Sequence, residues 1–135
     1  MASAGYSRTP LAKKLGFKPV EPLWASGMPA SVKAELDAQA KPRYLARPTK
    51  ALAAAHIFHT KAAKLAADLE ALRPKLAPDG MIWVSWPKKA AKVATDITED
   101  VIRKIALPMG YVDVKVCAVD ETWSGLKLVI RKALR

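Results

Sequence analysis

The sequence predicts an α/β fold: a mainly parallel sheet with helices on both faces, closed by a C-terminal antiparallel hairpin. Three observations carry the prediction. Apolar stripes with helical spacing alternate along the chain with short apolar runs. The run Met81-Ile82-Trp83-Val84-Ser85-Trp86 is hydrophobic almost without interruption, as in a parallel strand covered on both faces. Beyond Gly110 the pattern changes to a period of two, twice in succession, the mark of two paired and half-buried strands.

Taken in order, Thr9-Pro10-Leu11-Ala12-Lys13-Lys14-Leu15-Gly16 reads as a short capped helix. Thr9 can accept from free N–H groups, Pro10 suits the first helical position and Gly16 the left-handed stop. Residues 1–18 then form an N-terminal arm. Val20 to Ser26 reads as the first strand, although Pro22 within it is unfavourable to one. A turn at Gly27-Met28-Pro29 leads into a helix near Ser31–Ala38, and Arg43–Ala46, between Pro42 and Pro48, reads as a short edge strand. Ala54–Phe58 reads as a buried strand, because Ile57 and Phe58 close an apolar run just before a helix-start signal at Thr60. Leu65, Leu69, Leu72 and Leu76 then recur at intervals of 4, 3 and 4, one face of a helix that Pro74 ends near Arg73.

Asp79-Gly80 reads as the turn into the Met81–Trp86 strand. Asp96-Ile97-Thr98-Glu99 has the spacing of a capping box, with Asp96 as the cap of a helix that buries Ile97, Val101, Ile102 and Ile105. In the hairpin, Val112, Val114, Val116 and Ala118 share one face, and Leu126, Leu128 and Ile130 line the returning strand. The alternation of strand and helix without repeat or low-complexity linker makes residues 1–135 a single Rossmann-like three-layer domain.

Composition narrows the class of protein. The 135 residues are 51% hydrophobic and 26% charged, which excludes an intrinsically disordered chain. A single cysteine excludes an intramolecular disulfide framework and a multi-thiolate metal site, and suits a reducing cytoplasm. No apolar run approaches the ~18 residues of a membrane span, and no signal-peptide core opens the chain. Net charge is +11, unevenly placed: residues 1–66 hold 11 Lys or Arg against 3 acids. Between Asp37 and Asp68 there is no acid at all, but six cations, Lys41, Arg43, Arg47, Lys50, Lys61 and Lys64. Such a field attracts anionic small molecules, nucleic acid or an acidic protein. A solvated face that keeps a small protein soluble accounts for it equally well. Tyr44 is the one aromatic among these cations, which disfavours base stacking.

Two long segments carry a resemblance: Gly5-Tyr6-Ser7 with Thr9-Pro10-Leu11-Ala12-Lys13-Lys14-Leu15-Gly16, and Lys115-Val116-Cys117-Ala118-Val119-Asp120-Glu121-Thr122-Trp123-Ser124-Gly125-Leu126-Lys127-Leu128-Val129-Ile130-Arg131. With Trp83-Val84-Ser85-Trp86-Pro87-Lys88-Lys89 and Ala94–Arg103, they resemble a bacterial family of small proteins known only as a domain of unknown function. No activity comes with that resemblance. More distantly, Leu72–Ser85 followed by a helix and a closing hairpin looks like the second half of class I S-adenosylmethionine-dependent methyltransferases. That likeness implies a glycine-rich first strand–helix turn and an acid after the second strand that bonds the cofactor's ribose. Here the turn is Trp24-Ala25-Ser26-Gly27-Met28-Pro29, with one glycine, and the acid's place falls in the acid-free stretch.

The usual catalytic templates are missing. The sequence holds no phosphate-cradling GxxxxGK[ST], no CxxC and no HExxH. Ser85 lacks the glycines of a nucleophile elbow. His56 and His59, the only histidines, point to opposite faces of a strand end, one a core residue and one a crevice residue, so they do not make a joint metal site. Cys117 reads as a half-buried structural thiol, Asp120 and Glu121 as turn residues, and Trp83 and Trp86 as core, one under each helix layer. No catalytic residue, metal or cofactor is assigned. What survives is the strand-end edge where parallel sheets receive ligands. Ser26, Gly27, His59, Thr60, Lys61, Ser85, Lys88 and Lys89 are expected to line one shared crevice there. Thr60 would open a helix whose free N–H groups bind an anion. The reading is a non-catalytic binder of an anionic small ligand or an acidic partner, the alternative a methyltransferase-like enzyme with a non-standard cofactor site.

Overall fold

A computed structural model describes residues 9–135, so the Gly5-Tyr6-Ser7 segment lies outside the described residues. Four helices, α1 (Leu11–Leu15), α2 (Ala30–Gln39), α3 (Ala62–Leu72) and α4 (Glu99–Ala106), pack on six strands. The strands are β1 (Pro22–Ser26), β2 (Arg43–Tyr44), β3 (Leu52–Phe58), β4 (Leu76–Pro87), β5 (Tyr111–Ala118) and β6 (Trp123–Ile130), in the spatial order β2-β1-β3-β4-β6-β5. The β2–β1, β1–β3 and β3–β4 ladders are parallel, while β6 runs antiparallel to both β4 and β5. The α/β class, the mainly parallel sheet and the closing hairpin are as the sequence predicts. Among the described residues no helix is long and apolar enough to cross a membrane.

The two sides of β3 and β4 feed two separate cores. On one side Ala55, Ile57, Ile82, Val84 and Trp86 meet Leu65, Leu69 and Leu72 of α3 and Ile102 and Ala106 of α4. On the other, Ala54, Phe58 and Trp83 meet Leu11 and Leu15 of α1 and Val32 and Leu36 of α2. The predicted placement of Trp83 and Trp86 under opposite layers therefore holds. Each fully buried leucine contributes about 2 kcal/mol of transfer free energy, and the leucine stripe of α3 is buried throughout.

α1 is only five residues long and too short to persist alone. It is held by Leu11 and Leu15, both 1% exposed, and by hydrogen bonds with distant parts of the chain, including those of Lys14 with Ala118 and Lys115. The Gln39 side-chain oxygen accepts from the Ala12 N–H at 2.7 Å, and the Trp83 indole N–H donates to the Leu15 carbonyl at 2.7 Å. Pro10 stands at the N-cap rather than the first helical position. Val20 lies outside β1, in a left-handed conformation with φ 54°.

Three expectations are corrected here. Asp79-Gly80 is not a turn but lies within β4, and the chain reverses earlier, at Arg73-Pro74-Lys75. Partners Leu52 and Leu76 are followed by Ala54 and Met81, so residues 77–80 bulge out of the ladder while Gly80 packs against the Leu52 carbonyl. The cap of α4 is Thr98, whose hydroxyl accepts from the Val101 N–H at 3.2 Å, and not Asp96. Val112, Val114, Val116 and Ala118 do not share one face. Asp113 and Lys115 oppose the adjacent residues Leu128 and Lys127, so Val114 is the extra residue of a bulge that flips the parity beyond it. Val114 and Val116 are exposed because β5 is the outer strand.

Candidate functional site

The parallel strands end in register. Ser26 of β1 stands beside Ile57, and Phe58 of β3 stands beside Ser85. The chain leaves β1 at Gly27, whose φ of 68° and closeness to β3 both demand glycine. A Cβ there would sit 2.8 Å from the Phe58 carbonyl oxygen. Gly27 thus closes the loop onto β3, so its bare α-carbon leaves no gap on that side for a ligand.

His59 follows β3 directly. Its backbone N–H donates to the Ser85 carbonyl, and its Nε2 lies 2.6 Å from the Asp68 carboxylate on α3. The sequence places His59 at the crevice but gives no sign of this partner. Asp68 can reach His59 because it lies three residues after Leu65 and four before Leu72, on the inward side of the amphipathic helix.

Ser85 is corrected outright. It is fully buried, and its hydroxyl meets His56 Nε2 at 2.7 Å instead of facing the rim. His56 is the core histidine, stacked on Phe58 with ring centroids 4.3 Å apart and close to Phe17. Burial holds its imidazole neutral, with the pKa pushed down to about 3. Its Nδ1 has no hydrogen-bond partner among the described residues. The cheaper tautomer therefore carries the proton on Nε2, donates it to Ser85, and leaves only a lone pair unmatched.

Thr60 does not open α3. Lys61 occupies the cap position and the helix begins at Ala62. The helix N-terminus carries an anion from the protein itself: Asp96 Oδ1 accepts from the Ala62 N–H at 2.7 Å. The same segment is tied down by the Thr95 hydroxyl, which donates to the Thr60 carbonyl at 2.7 Å, and by the buried Ile97. Residues 95–97 thus form a strap across the strand-end edge and divide the expected crevice in two. Ser26, Gly27, His59, Thr60 and Lys61 lie on the β1–β3 side. Lys88 and Lys89 lie on the other, in a depression with Pro87, Thr95, Thr98 and Ser124 between β4 and the start of α4. Asp96→Ala is expected to cost about 1 kcal/mol, the usual worth of a cap, in urea unfolding at neutral pH. Inorganic phosphate should recover part of that loss in the variant and do little for the parent protein.

At the far end of α4, Arg103 gathers Glu99, Asp100 and Asp113. The hydrogen bonds it donates to Asp113 and Glu99 raise its already high pKa, so it stays charged throughout. Burial raises Cys117, which keeps it a thiol. Among the described residues no three His, Cys, Asp or Glu side chains group as metal ligands.

No family model matches the chain, and no curated protein matches it in sequence. Solved structures do match its fold. A SAM-dependent methyltransferase from Aquifex aeolicus superimposes with a TM-score of 0.63 at 13% identity, over 89% of this chain and 87% of that one. Aeropyrum pernix fibrillarin, solved with bound S-adenosylmethionine, gives 0.59 at 12% identity over 93% and 71%. Magnesium protoporphyrin IX methyltransferase from Synechocystis PCC 6803, with bound SAM, gives 0.56 at 15% identity over 90% and 74%. The residues here do not supply the anchors that the methyltransferase likeness implies. Tyr44 of β2 is followed by Leu45, Ala46 and Arg47, with no carboxylate for a ribose, and the β1 turn has its single glycine filled against Phe58. The chain has the Rossmann-like fold of the SAM-dependent methyltransferases.

Proposed function

We propose that this chain is a methyltransferase-like protein with a non-standard cofactor site, which receives S-adenosylmethionine or a nucleoside ligand of similar outline beyond the ends of β1 and β3. The observation that supports this is the extent of the likeness: 89% of the chain superimposes on 87% of a SAM-dependent methyltransferase, so the whole layout is kept. In this reading Ser26 and Thr60 offer hydroxyls, Lys61 a cation for a carboxylate, and His59, braced by Asp68, a hydrogen-bonding ring. No transfer step is assigned, because the ribose anchor is missing.

The test is thermal melting with S-adenosylmethionine, S-adenosylhomocysteine and inorganic phosphate in parallel. Ligand at about a hundred times its Kd stabilises by about 2.7 kcal/mol, worth roughly 8 °C in a domain of this size. His59→Ala should abolish that shift. Stabilisation by S-adenosylmethionine no greater than that by phosphate would remove the reading.

A second reading rests on the depression at Lys88 and Lys89. There a small phosphate or carboxylate ligand would meet two lysines with Thr95, Thr98 and Ser124 nearby, while Glu99 at the same lining is paired with Arg103. Lys88→Glu with Lys89→Glu should then erase protection by phosphate and leave the melting temperature without phosphate unchanged. Undiminished protection in that variant places any anion elsewhere.

A further inference from the structure

We propose that the cationic band along the β2 edge binds the phosphodiester backbone of double-stranded nucleic acid without reading its sequence. The band consists of Lys41, Arg43, Arg47, Lys50, Lys61 and Lys64, all exposed. β2 is the outermost strand on its side of the sheet, which puts Lys41 and Arg43 on the rim. Arg47 and Lys50 lie on the connection from β2 to β3, and Lys61 and Lys64 at the start of α3.

The two rims of the sheet differ in how their cations are paired. At the opposite rim, Glu99, Asp100 and Asp113 surround Arg103 and neutralise it locally. From residue 38 to residue 67 the sequence holds no acid, Asp37 beside Tyr44 is taken by Lys33, and none of the six cations makes an ion pair among the described residues. Cations on β2 alone would be accounted for as guards against edge-to-edge pairing. That does not explain Lys61 and Lys64, which stand at the cap and in the first turn of α3.

The band also lacks what a protein partner needs. Interfaces between proteins are anchored by buried aromatic or aliphatic side chains. The exposed large hydrophobic residues, Val20, Val93, Leu107, Val114, Val116 and Leu134, all lie outside residues 38–67. Phe58 is buried in the core, and Tyr44, the other aromatic there, is covered by the Lys33 ammonium 4.7 Å from its ring centre, with its hydroxyl facing Met28. Nothing is left to stack on an unpaired base. Phosphate contact without base contact is the pattern of sequence-independent duplex binding.

The experiment is fluorescence anisotropy with two unrelated 20-base-pair DNA duplexes, one RNA duplex, one single strand and polyglutamate, across salt concentrations. Six phosphate contacts give a log–log salt slope of about −5, roughly a thousandfold loss between 50 and 200 mM salt. Arg43→Gln, Arg47→Gln and Lys64→Gln together should bring the slope to about −3. The control of equal charge, Lys104→Gln, Lys127→Gln and Lys132→Gln, should leave it near −5. Similar affinity for both DNA duplexes supports the proposal, and the RNA duplex ranks the source of the backbone. Equal effects of the two triple variants, or no binding to any duplex at low salt, would overturn it. So would tighter binding of polyglutamate or of the single strand. None of the three substituted band residues belongs to the proposed cofactor edge, so their variant keeps any melting shift with S-adenosylmethionine whatever the outcome here.

Discussion

Trp83→Ala is expected to lower the unfolding free energy by about 4 kcal/mol, read from urea titration at neutral pH. Trp83 is 0% exposed and fills the core between the sheet and α1, with Gly125 of β6 so close that a Cβ there would stand 3.2 Å from the indole. The truncation removes a large buried ring and leaves a cavity that the short neighbours cannot fill. It also strips the Leu15 carbonyl of its indole donor, and with it one of the hydrogen bonds that tie a five-residue helix to the body. Trp83→Phe separates the two effects. It keeps a phenyl ring in the site and loses the N–H with only part of the indole's volume, for a loss of about 2 kcal/mol, well short of that of the alanine variant. Limited proteolysis should then cut near α1 in the alanine variant well before the remainder of the domain opens. A loss under about 2 kcal/mol for Trp83→Ala would mean that the site collapses around the smaller side chain, contrary to a close-packed interior.

How far such features can be read from the sequence depends on where their partners lie. The run Met81–Trp86, the leucine stripe of α3 and the returning strand of the hairpin are legible because burial repeats at the period of one local structure. Asp79-Gly80 misleads for the opposite reason. The dipeptide favours a turn in isolation, but the pairing of β4 with β3 on both sides of it turns the same residues into a bulge. Val114 fails in the same way, since one inserted residue inverts every face that follows it.

The candidate site was legible as an edge but not as a surface. Ser26 ends its strand, and His59, Thr60 and Lys88 stand just beyond theirs, because strand boundaries follow from apolar runs. Asp96 has the spacing to cap its own helix, yet its carboxylate is taken by the N–H of Ala62, 34 positions earlier. Ser85 reads as a rim hydroxyl, yet it turns inward to a histidine 29 positions away. Both outcomes are tertiary and leave no trace in local spacing. They bear on function directly. The strap at residues 95–97 fills the helix end that an anion would use, and this shifts the proposed ligand toward the β1–β3 side.

Stability should fall by about 2.5 kcal/mol between pH 6 and pH 4 on account of His56 alone. The imidazole is fully buried, with Phe17, Phe58 and the Ser85 hydroxyl around it, and burial depresses its pKa from 6.5 to about 3. The unfolded chain takes up the proton below pH 6.5 while the native protein refuses it. The contribution is therefore complete above pH 6.5 and declines as pH falls toward 3, at up to about 1.4 kcal/mol per pH unit. Asp37, whose carboxylate is held below its ordinary range by the Lys33 hydrogen bond, acts in the same direction only at lower pH. A paired substitution isolates the histidine. His56→Leu with Ser85→Ala replaces both hydrogen-bonding partners by apolar groups and orphans neither. Its stability should be nearly flat between pH 6 and pH 5, where the parent protein already loses about 1 kcal/mol. Parallel curves for the two proteins would show that His56 accepts a proton in the folded state, and hence that water reaches the ring the core encloses.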